Sequence, residues 1–396
     1  MSILSSQVTE YIGKSSWIRK MFEEGARLKQ EHGADKVCDF SLGNPDLPPP
    51  DAVREALCEI ADSIGQPFSV GYMHNAGYPD VRARLAVEVA AEQRCPVTAD
   101  DLLITCGAAG GIHAFLRAVL EPGDELLAPS PFFVEYGFYT QNFGGVFKPV
   151  PSREGDFGLD VGAFEKAIGP RTRVVLVNSP NNPTGVIYAR ADLEALAALL
   201  VSKSAQYGRP IYLLADEPYR FLAYDNADVP AILPLYPYSV AVSSFSKNLS
   251  LAGERIGYVA VNPHMPEKAQ LLAGLTLTNR ILGFVNAPAI AQKVLLRALG
   301  SSVDAAIYAA RRKAMAEVLD AAGYEYAMPG GAFYFFPKAP GGDDVAFCQE
   351  LAKNLVLAVP GSGFGKPGYF RLAFCVGEET IKKSLPGFIA AKKAFA

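Results

Sequence analysis

The pattern of apolar and polar positions between residues 102 and 262 predicts a large sheet. Short apolar runs rich in β-branched residues alternate there with stretches whose apolar residues recur every three or four positions. The runs predict seven strands, over residues 102–105, 125–128, 146–150, 174–178, 211–215, 240–243 and 257–261. Strands that alternate with helices form a mostly parallel sheet with helices on both faces. We therefore expect an α/β fold built on one seven-stranded, mostly parallel sheet.

The rest of the chain has a different pattern. The connecting segments 111–120 and 191–203 have helical spacing. The C-terminal part predicts a helix over 289–322, a strand over 332–336, a helix over 345–354, a strand over 369–374 and a basic closing helix. The first 40 residues are helical and polar, and the prolines between residues 45 and 50 form a stiff joint. These segments predict a second, smaller α+β domain.

Composition and charge narrow the class of partner. The chain has 396 residues, of which half are apolar and a fifth charged, as is typical of a globular protein. Its 37 Lys and Arg are outnumbered by 41 Asp and Glu, which gives a net charge of −4. Nucleic acids and anionic membranes attract strongly basic proteins. The charge therefore argues against both partners and favours a small-molecule ligand.

The sequence predicts neither a membrane span, nor a secretory signal, nor a metal site. The longest apolar stretches are well short of the roughly 18–20 residues that cross a bilayer. The N-terminus lacks a basic start followed by an apolar region. The six cysteines form no C-x-x-C pair, and the four histidines have no zinc-ligand spacing. We therefore expect a cytoplasmic protein with free thiols and without a metal.

Candidates for chemistry follow the predicted strands, because ligands of open parallel sheets bind beyond the carboxyl ends of the strands. After the first strand comes TCGAAGG and then a helix, whose first N–H groups can hold a phosphate. Such glycines can also serve the turn alone. The spacing of Gly107, Gly110 and Gly111 is not that of a dinucleotide-binding loop. A nucleotide-dependent oxidoreductase is therefore not expected.

Two further strand ends have unusual sequences. NSPNNPTG, at 178–185, predicts a rigid turn that can project an amide toward the edge of the sheet. A role in the turn alone would explain Asn181, but it explains less well the order of the residues that follow. In LLADEPY, Asp216 ends an apolar strand and Tyr219 follows. A helix N-cap is the alternative role for Asp216.

The fourth strand end, SSFSKNLSLAGERIGY, brings a lysine together with groups that bind phosphate. Lys247 follows an apolar strand, and Ser244, Ser246 and Arg255 are its neighbours in sequence. Hydroxyls and a guanidinium are suited to hold a phosphate dianion beside an amine. A free lysine is almost fully protonated near neutral pH, so a reactive amine needs desolvation, nearby cations or storage as an imine. Arg255 fits that need.

Taken together, these segments resemble the class I/II aminotransferases, which are pyridoxal 5′-phosphate enzymes of fold type I. The matching blocks, in the order of that family, are SLGNPD (41–46), GYMHNAGYPDVR (71–82), TCGAAGG (105–111), PFFVEY (131–136), NNPTG (181–185), ADEPY (215–219), SFSKNLSLAGERIGY (244–258) and FRLAF (370–374). The resemblance extends over about residues 38–376. We expect a large cofactor-binding domain over 46–283 and a small domain formed by 1–45 and 284–396.

The resemblance also implies roles for individual residues. Lys247 would bond the cofactor's aldehyde and then shuttle a proton, and Asp216 would keep the pyridinium nitrogen protonated. Asn182 and Tyr219 would bond the phenolic oxygen. The remaining cofactor contacts would come from Ser244, Ser246, Arg255, the backbone of Ala108 and Ala109, the ring of Phe133 and Tyr72 of a partner subunit. The implied enzyme is a homodimer with shared active sites.

Substrate contacts follow from the same resemblance. Arg371 would fork the α-carboxylate, assisted by Asn182 and the backbone of Gly43. Aspartate-specific members use an arginine of the neighbouring subunit for the distal carboxylate, and Arg280 is the candidate here. We therefore favour an aspartate-type aminotransferase that passes amino groups to a 2-oxo acid such as 2-oxoglutarate.

Other functions remain open at this point. An alanine or aromatic aminotransferase and a C–S β-lyase can use the same fold. A ligand-sensing regulator would need a basic DNA-binding segment, and the first 40 residues are insufficiently basic. Two positions depart from common family residues, because Phe133 stands where many members have Trp or Tyr and Ala109 where some have Ser or Thr.

Overall fold

The computed structural model describes residues 3–14 and 17–395. Within these residues the strands are β1 Cys38–Asp39, β2 Leu102–Thr105, β3 Glu125–Ser130, β4 Val146–Pro151, β5 Thr172–Asn178, β6 Tyr212–Asp216, β7 Ser239–Ser244, β8 Gly257–Val261, β9 Tyr334–Phe335, β10 Val356–Leu357, β11 Val359–Pro360 and β12 Phe370–Ala373. The α-helices are α1 Ser6–Lys14, α2 Trp17–His32, α3 Asp51–Ser63, α4 Pro79–Gln93, α5 Gly107–Val119, α6 Glu135–Gln141, α7 Val161–Ala167, α8 Arg190–Tyr207, α9 Lys268–Asn279, α10 Ala289–Ala298, α11 Ala305–Ala321, α12 Asp344–Lys353, α13 Glu378–Lys383 and α14 Leu385–Ala394.

The strands β2 to β8 build the central sheet, in the order β2-β8-β7-β6-β5-β3-β4. The pairings among β3, β4, β5, β6 and β7 are parallel, whereas β8 runs antiparallel to β2 and β7. Each strand lies where the sequence pattern predicts it, and its ends differ by two residues at most. The prediction of a seven-stranded, mostly parallel sheet is confirmed. The carboxyl ends of the parallel strands therefore meet at one edge.

Helices cover both faces of this sheet. Every residue of β6 is buried, and so is all but one of β5, which explains why their sequences are continuous apolar runs. On one face Phe115 and Leu116 of α5 pack against the sheet. On the other face Leu196 and Leu200 of α8 do the same. The helices predicted over 111–120 and 191–203 thus hold the sheet between two apolar layers.

The single helix predicted over 289–322 is wrong in one respect, because the chain forms two helices, α10 and α11. Leu299 takes an extended conformation at the end of α10, and Gly300 has a φ of +91°, which favours glycine. Asp304 then caps α11 by accepting a hydrogen bond from the Ala306 nitrogen (2.8 Å). The closing helix is likewise divided into α13 and α14.

Segments from both ends of the described chain share a separate core. Phe40, Phe333 and Phe370 belong to one cluster of buried residues. β11, β12 and β9 form an antiparallel sheet, and β1 pairs with β10 in parallel. Helix α10 packs elsewhere, since Leu295 shares a buried cluster with Ile60 of α3. The domain boundaries at 45/46 and 283/284 stay a prediction.

The described residues contain neither a candidate membrane span nor a candidate metal site. No helix in this part of the chain is long and apolar enough to cross a bilayer. Over the same residues, His, Cys, Asp and Glu side chains do not gather in a group of three or more that could hold a metal ion.

Candidate active site

A cavity of about 340 Å³ lies at the carboxyl edge of the central sheet. Asn178, Asp216 and Ser244, which end β5, β6 and β7, all line it. The other lining residues are Leu42, Gly43, Ala108, Ala109, Ile112, Phe133, Tyr136, Tyr139, Asn182, Pro218, Tyr219, Ser246, Lys247, Ala252, Arg255, Tyr334 and Arg371. The cavity therefore brings together every site residue predicted from the sequence except Tyr72 and Arg280.

Asp216 contributes a buried carboxylate with one free oxygen. Asn178, at the end of the neighbouring strand, donates from Nδ2 to the carbonyl of Asp216 (2.8 Å). The Tyr136 hydroxyl donates to Oδ2 (2.5 Å), whereas Oδ1 is buried without a hydrogen-bond partner. Burial raises the pKa of Asp216 to about 6, although the Tyr136 hydrogen bond acts in the opposite direction. The free oxygen is therefore available to an N–H donor bound in the cavity.

Lys247 brings an amine into the same cavity. Its Nζ donates to the carbonyl of Gly43 (2.6 Å) and lies 5.4 Å from the centre of the Phe333 ring. Burial lowers the pKa of Lys247 to about 8, and the positive charges of Arg371 and Arg255 act in the same direction. An appreciable fraction of this amine is therefore neutral near physiological pH. The neutral form is the one that can act as a nucleophile or a base.

The N-terminus of α5 forms a place for an anion. Because α5 begins at Gly107, the N–H groups of Ala108 and Ala109 lie in its first turn, without intrahelical acceptors. The Arg255 guanidinium lies close by, since a Cβ added at Gly107 would be 2.9 Å from its Nη2. A Cβ at Gly257 would likewise be 2.9 Å from the Ala108 nitrogen. The two glycines therefore allow the helix terminus and the arginine to approach each other.

Arg371 is a buried arginine that has donors to spare. Nη1 donates to Oδ1 of Asn182 (3.1 Å) and Nη2 to the carbonyl of Ser41 (2.5 Å). The rings of Tyr334 and Phe364 lie 4.9 and 4.8 Å from its guanidinium carbon. Its Nε has no partner, and none of the carboxylates in the described residues pairs with it. Such a guanidinium is suited to bind a carboxylate from a ligand.

The NNPTG segment combines a turn with a projected amide, as its sequence suggests. Asn181 holds the turn, because its Oδ1 accepts from the backbone nitrogen and the hydroxyl of Thr184. Asn182 has a different place. Its backbone nitrogen donates to Oδ1 of Asn178 (2.7 Å), and its side chain reaches Arg371. The turn therefore fixes Asn182 between the end of β5 and the buried arginine.

Tyr219 is paired with a tyrosine from a distant part of the chain. Its hydroxyl lies 2.7 Å from that of Tyr334. Burial raises the pKa of Tyr219 well above its ordinary value, so this phenol stays protonated and can donate. A Cβ at Gly43 would lie only 2.2 Å from the Tyr334 hydroxyl. A glycine at 43 is therefore required for the backbone to pass this tyrosine pair.

Tyr72 and Arg280 lie outside the cavity, on the surface of the subunit. Tyr72 is 90% exposed, and the exposed Arg280 lines a different cavity together with His74 and Asn75. The side chain of Asn75 donates to the carbonyl of Val285 (2.9 Å), so the segments that carry Tyr72 and Arg280 are in contact. Residues offered to a neighbouring subunit have to be exposed on their own subunit. The predicted roles of both stay predictions.

Among the cavity residues to which the sequence interpretation assigned no role are three polar ones that hold the site together, Tyr136, Asn178 and Tyr334. Asn178 ends a parallel strand as Asp216 does, so its position was a usable signal. Tyr136 lies within the PFFVEY block, but nothing in that block indicates a carboxylate partner. Tyr334 meets Tyr219 from 115 positions away, and no local pattern could have indicated that contact.

The chain also matches known proteins over nearly its whole length. The family model described as aminotransferase class I and II matches residues 35–385. A probable aspartate/prephenate aminotransferase of Aquifex aeolicus is 32% identical, over 91% of this chain and 92% of its own. An amino transferase structure from Eubacterium rectale has a TM-score of 0.95 at 36% identity, over 100% of both chains. For the aspartate aminotransferase of Thermus thermophilus with maleate, the values are 0.88 and 28%, over 99% of this chain and 100% of that one.

The architecture is thus that of the fold type I transferases, and the cavity carries the lysine, carboxylate and arginines that such an enzyme needs. The chain belongs to the class I and II aminotransferase family. It is an aminotransferase, an enzyme that moves an amino group between an amino acid and a 2-oxo acid. The family resemblance recognised in the sequence is confirmed. Members of this family generally depend on pyridoxal phosphate.

Replacing Asp216 with Asn tests the cost of burying its charge. In the window from 3.8 to about 6 the unfolded carboxyl has released its proton while the folded one retains it, so the wild type loses stability as pH rises. Asp216→Asn lacks this loss and keeps an oxygen for Tyr136. Its free energy of unfolding relative to the wild type should increase by up to about 3 kcal/mol between about pH 4 and about pH 7.

Urea denaturation of ligand-free protein across this pH range measures the difference. The exposed Asp62 of α3 supplies the control, because Asp62→Asn removes a carboxylate that is already in water. Its difference from the wild type should change little with pH. A pH-independent difference for Asp216→Asn would contradict the desolvated carboxyl described above.

Proposed function

We propose that this aminotransferase binds pyridoxal 5′-phosphate in the cavity at the carboxyl edge of the sheet. The observation that carries the proposal is the buried, unpartnered Oδ1 of Asp216 in the same cavity as the amine of Lys247. An ionised carboxylate without a partner is costly inside a protein. The protonated nitrogen of a pyridine ring would supply the missing donor. When bound, the cofactor supplies an aldehyde that reacts with amines and a ring that accepts electrons from the substrate's Cα.

The remaining walls of the cavity fit the other parts of the cofactor. Arg255, Ser244, Ser246 and the first turn of α5 offer donors to a phosphate dianion. The Phe133 ring lines the same space and can stack on a flat heterocycle. The residues Ala108 and Ala109 provide the backbone N–H groups of that turn. This arrangement fits pyridoxal phosphate, and these donors can hold its phosphate without a metal ion.

The chain's own residues then divide the work of the reaction. Asp216 would hold the ring nitrogen in its protonated form, and Tyr219 and Asn182, which line the same cavity, would donate hydrogen bonds to the phenolic oxygen. Lys247 would accept the proton from the substrate's Cα and hold it on Nζ, which its lowered pKa allows near neutral pH. Arg371 holds the substrate's α-carboxylate, with the backbone of Gly43 beside it.

Lys247→Ala is expected to lower kcat by about 10²–10⁴-fold, because it removes the amine that moves the proton. Transamination of amino acids with 2-oxoglutarate measures this loss. Lys338→Ala is the matched control, since Lys338 is an exposed lysine paired with Glu325, and it should retain wild-type turnover. Borohydride reduction and peptide mapping of the wild type should find the cofactor on Lys247. A cofactor attached to another lysine would contradict the proposal.

We propose aspartate as the amino donor and 2-oxoglutarate as an acceptor. Relatives from Aquifex aeolicus and Thermus thermophilus are named aspartate/prephenate aminotransferases, and Arg280 is exposed where a neighbouring subunit could receive it. The charges of the cavity favour a second class of donor, apolar or aromatic amino acids, because no cation among its described lining residues is left for a distal carboxylate. Its cationic lining residues in the described chain are Lys247, Arg255 and Arg371, and each already has a role. Binding of a substrate's distal carboxylate therefore requires Arg280 from the neighbouring subunit.

Arg280→Ala separates these two donor classes. If Arg280 pairs with the distal carboxylate, kcat/KM for aspartate should fall by about 10- to 100-fold, the value of a hydrogen-bonded charge. Alanine lacks that carboxylate, so its kcat/KM should change by less than about twofold. Arg280→Lys keeps the positive charge but lacks the planar guanidinium, so its kcat/KM for aspartate should lie between those of the wild type and Arg280→Ala. Unchanged aspartate turnover, with another donor remaining the better substrate, would contradict the assignment.

We further propose a cytoplasmic homodimer with shared active sites. Its support is the exposure of apolar and aromatic side chains at and beside the two predicted partner residues in sequence, since Tyr72 is 90%, Phe68 92% and Ile281 55% exposed. Large apolar side chains that a monomer leaves this exposed are often covered by a partner. In a symmetric dimer, Tyr72 would reach the cavity of the other subunit.

Mixing two variants that are each expected to lose most of their activity tests the shared site. Tyr72→Ala removes the residue offered to the partner, and Lys247→Ala removes the amine of its own cavity. A hybrid dimer contains one cavity with Lys247 and a native Tyr72, so random mixing should restore about a quarter of wild-type activity. The measurement is turnover after refolding the two variants together, with light scattering for the mass. No recovery in hybrids of dimeric mass would contradict the shared site.

A further inference from the structure

The phenol ring of Tyr136 is held in place by its packing and by the start of α6. It is the second residue of α6 and is only 1% exposed. Its backbone nitrogen donates to the carbonyl of Phe133 (3.1 Å), and the two rings meet edge to face at 5.5 Å. The phenol ring is therefore held by packing, which delivers the hydroxyl to Oδ2 of Asp216 at 2.5 Å. Removing the hydroxyl alone would leave the ring's packing intact.

Because of the Tyr136 hydroxyl, the two oxygens of Asp216 have different roles. Oδ2 accepts from Tyr136, and Oδ1 remains as the free acceptor toward the cavity. A hydrogen bond to a charged acceptor stabilises the ionised form of that acceptor. When Oδ2 has its donor, the carboxylate is a weaker base. A proton shared with a ring nitrogen then stays on the nitrogen.

No cation of the described chain performs this task in place of Tyr136. Lys, Arg and His side chains of the described residues make no ion pair with Asp216. The next residue, Glu217, is buried, accepts from Nε2 of Gln93 (2.6 Å) and pairs with Nε of Arg220 (3.7 Å), so this nearby arginine serves Glu217 and not Asp216. Tyr139 and Tyr219 are the other titratable neighbours. The Tyr136 hydroxyl is therefore what offsets the burial of this carboxylate.

We propose that Tyr136 is a positioning residue that acts through Asp216, keeping this carboxylate ionised and its Oδ1 directed at the cofactor's ring nitrogen. The inference rests on the proposed function, since it requires pyridoxal phosphate in the cavity. Tyr136 determines whether the proton lies on the ring nitrogen or on Asp216, whereas the phosphate-binding residues determine the affinity for the cofactor. Loss of the hydroxyl should therefore move the proton from the nitrogen toward Asp216 without releasing the cofactor.

Tyr136→Phe in the holoenzyme, loaded with cofactor labelled with ¹⁵N in the ring, tests this. The ¹⁵N chemical shift should be that of a protonated ring in the wild type and should move toward the unprotonated value in the variant. A carboxylic acid C=O band should appear in the infrared difference spectrum. We expect kcat to fall by about 10- to 100-fold and KM for the amino acid to change by less than about twofold. Thermal unfolding should show that the fold is retained.

Tyr139→Phe is the matched control, because Tyr139 lies on the same helix and lines the same cavity but makes no hydrogen bond with Asp216. Its ¹⁵N shift should equal that of the wild type. An unchanged shift in Tyr136→Phe, equal changes in both variants, or a folded Tyr136→Phe protein that no longer binds cofactor would each overturn the proposal. A wild type that binds no cofactor would instead overturn the proposed function.

A second variant keeps the ring and the hydroxyl. Incorporation of 3-fluorotyrosine at position 136 makes the phenol a stronger donor, because fluorine withdraws electrons. The proposal requires the ¹⁵N shift of this protein to be at least as far on the protonated side as in the wild type. A shift toward the unprotonated value would overturn it, whatever the stability of Tyr136→Phe.

Discussion

The site depends on a carboxylate that the protein buries without a cationic partner. Asp216 ends a strand inside the sheet, with Tyr136 on one oxygen and nothing on the other. Burial raises the pKa of this group to about 6, and its free oxygen can accept a hydrogen bond from a donor bound in the cavity. The same shortage of counter-charges recurs at Lys247 and Arg371. Ligand groups are thus expected to complete interactions that the fold leaves open.

Close approach of backbone segments is the second requirement. The carboxyl ends of β5, β6 and β7 lie side by side, and α5 has to begin beside them for its N–H groups to face the same space. Gly257 on β8 and Gly107 at the start of α5 allow this, since a side chain at either would collide with the neighbouring segment. Gly43 plays the same part for the segment that passes Tyr334. At Gly257 the neighbour is main chain, whereas at Gly107 and Gly43 it is the side chain of Arg255 and of Tyr334.

The site residues that could be predicted from the sequence are those that lie at the ends of predicted parallel strands. Lys247, Asp216 and Asn182 each lie at or just after the end of a parallel strand. Because the carboxyl ends of such strands meet at one edge of the sheet, their positions in the chain are enough to predict that they lie together. The interpretation was less successful where two elements compete locally. The pattern over 289–322 is helical throughout, yet Gly300 and the cap at Asp304 end one helix and begin another. Short breaks of this kind leave the apolar period almost unchanged.

The amino-acid sequence by itself determined the seven strands of the central sheet and the residues at their ends, because these follow from periodicity and from residue types at adjacent positions. It also determined the family, through the resemblance of its ordered motif blocks. Only the tertiary structure decided which atoms are satisfied and which are left free. That Tyr136 takes one oxygen of Asp216, that Tyr334 meets Tyr219 over Gly43, and that Arg371 lacks an ion pair are consequences of packing between distant segments. Desolvation and long-range contact are properties of the folded chain, so no local pattern encodes them.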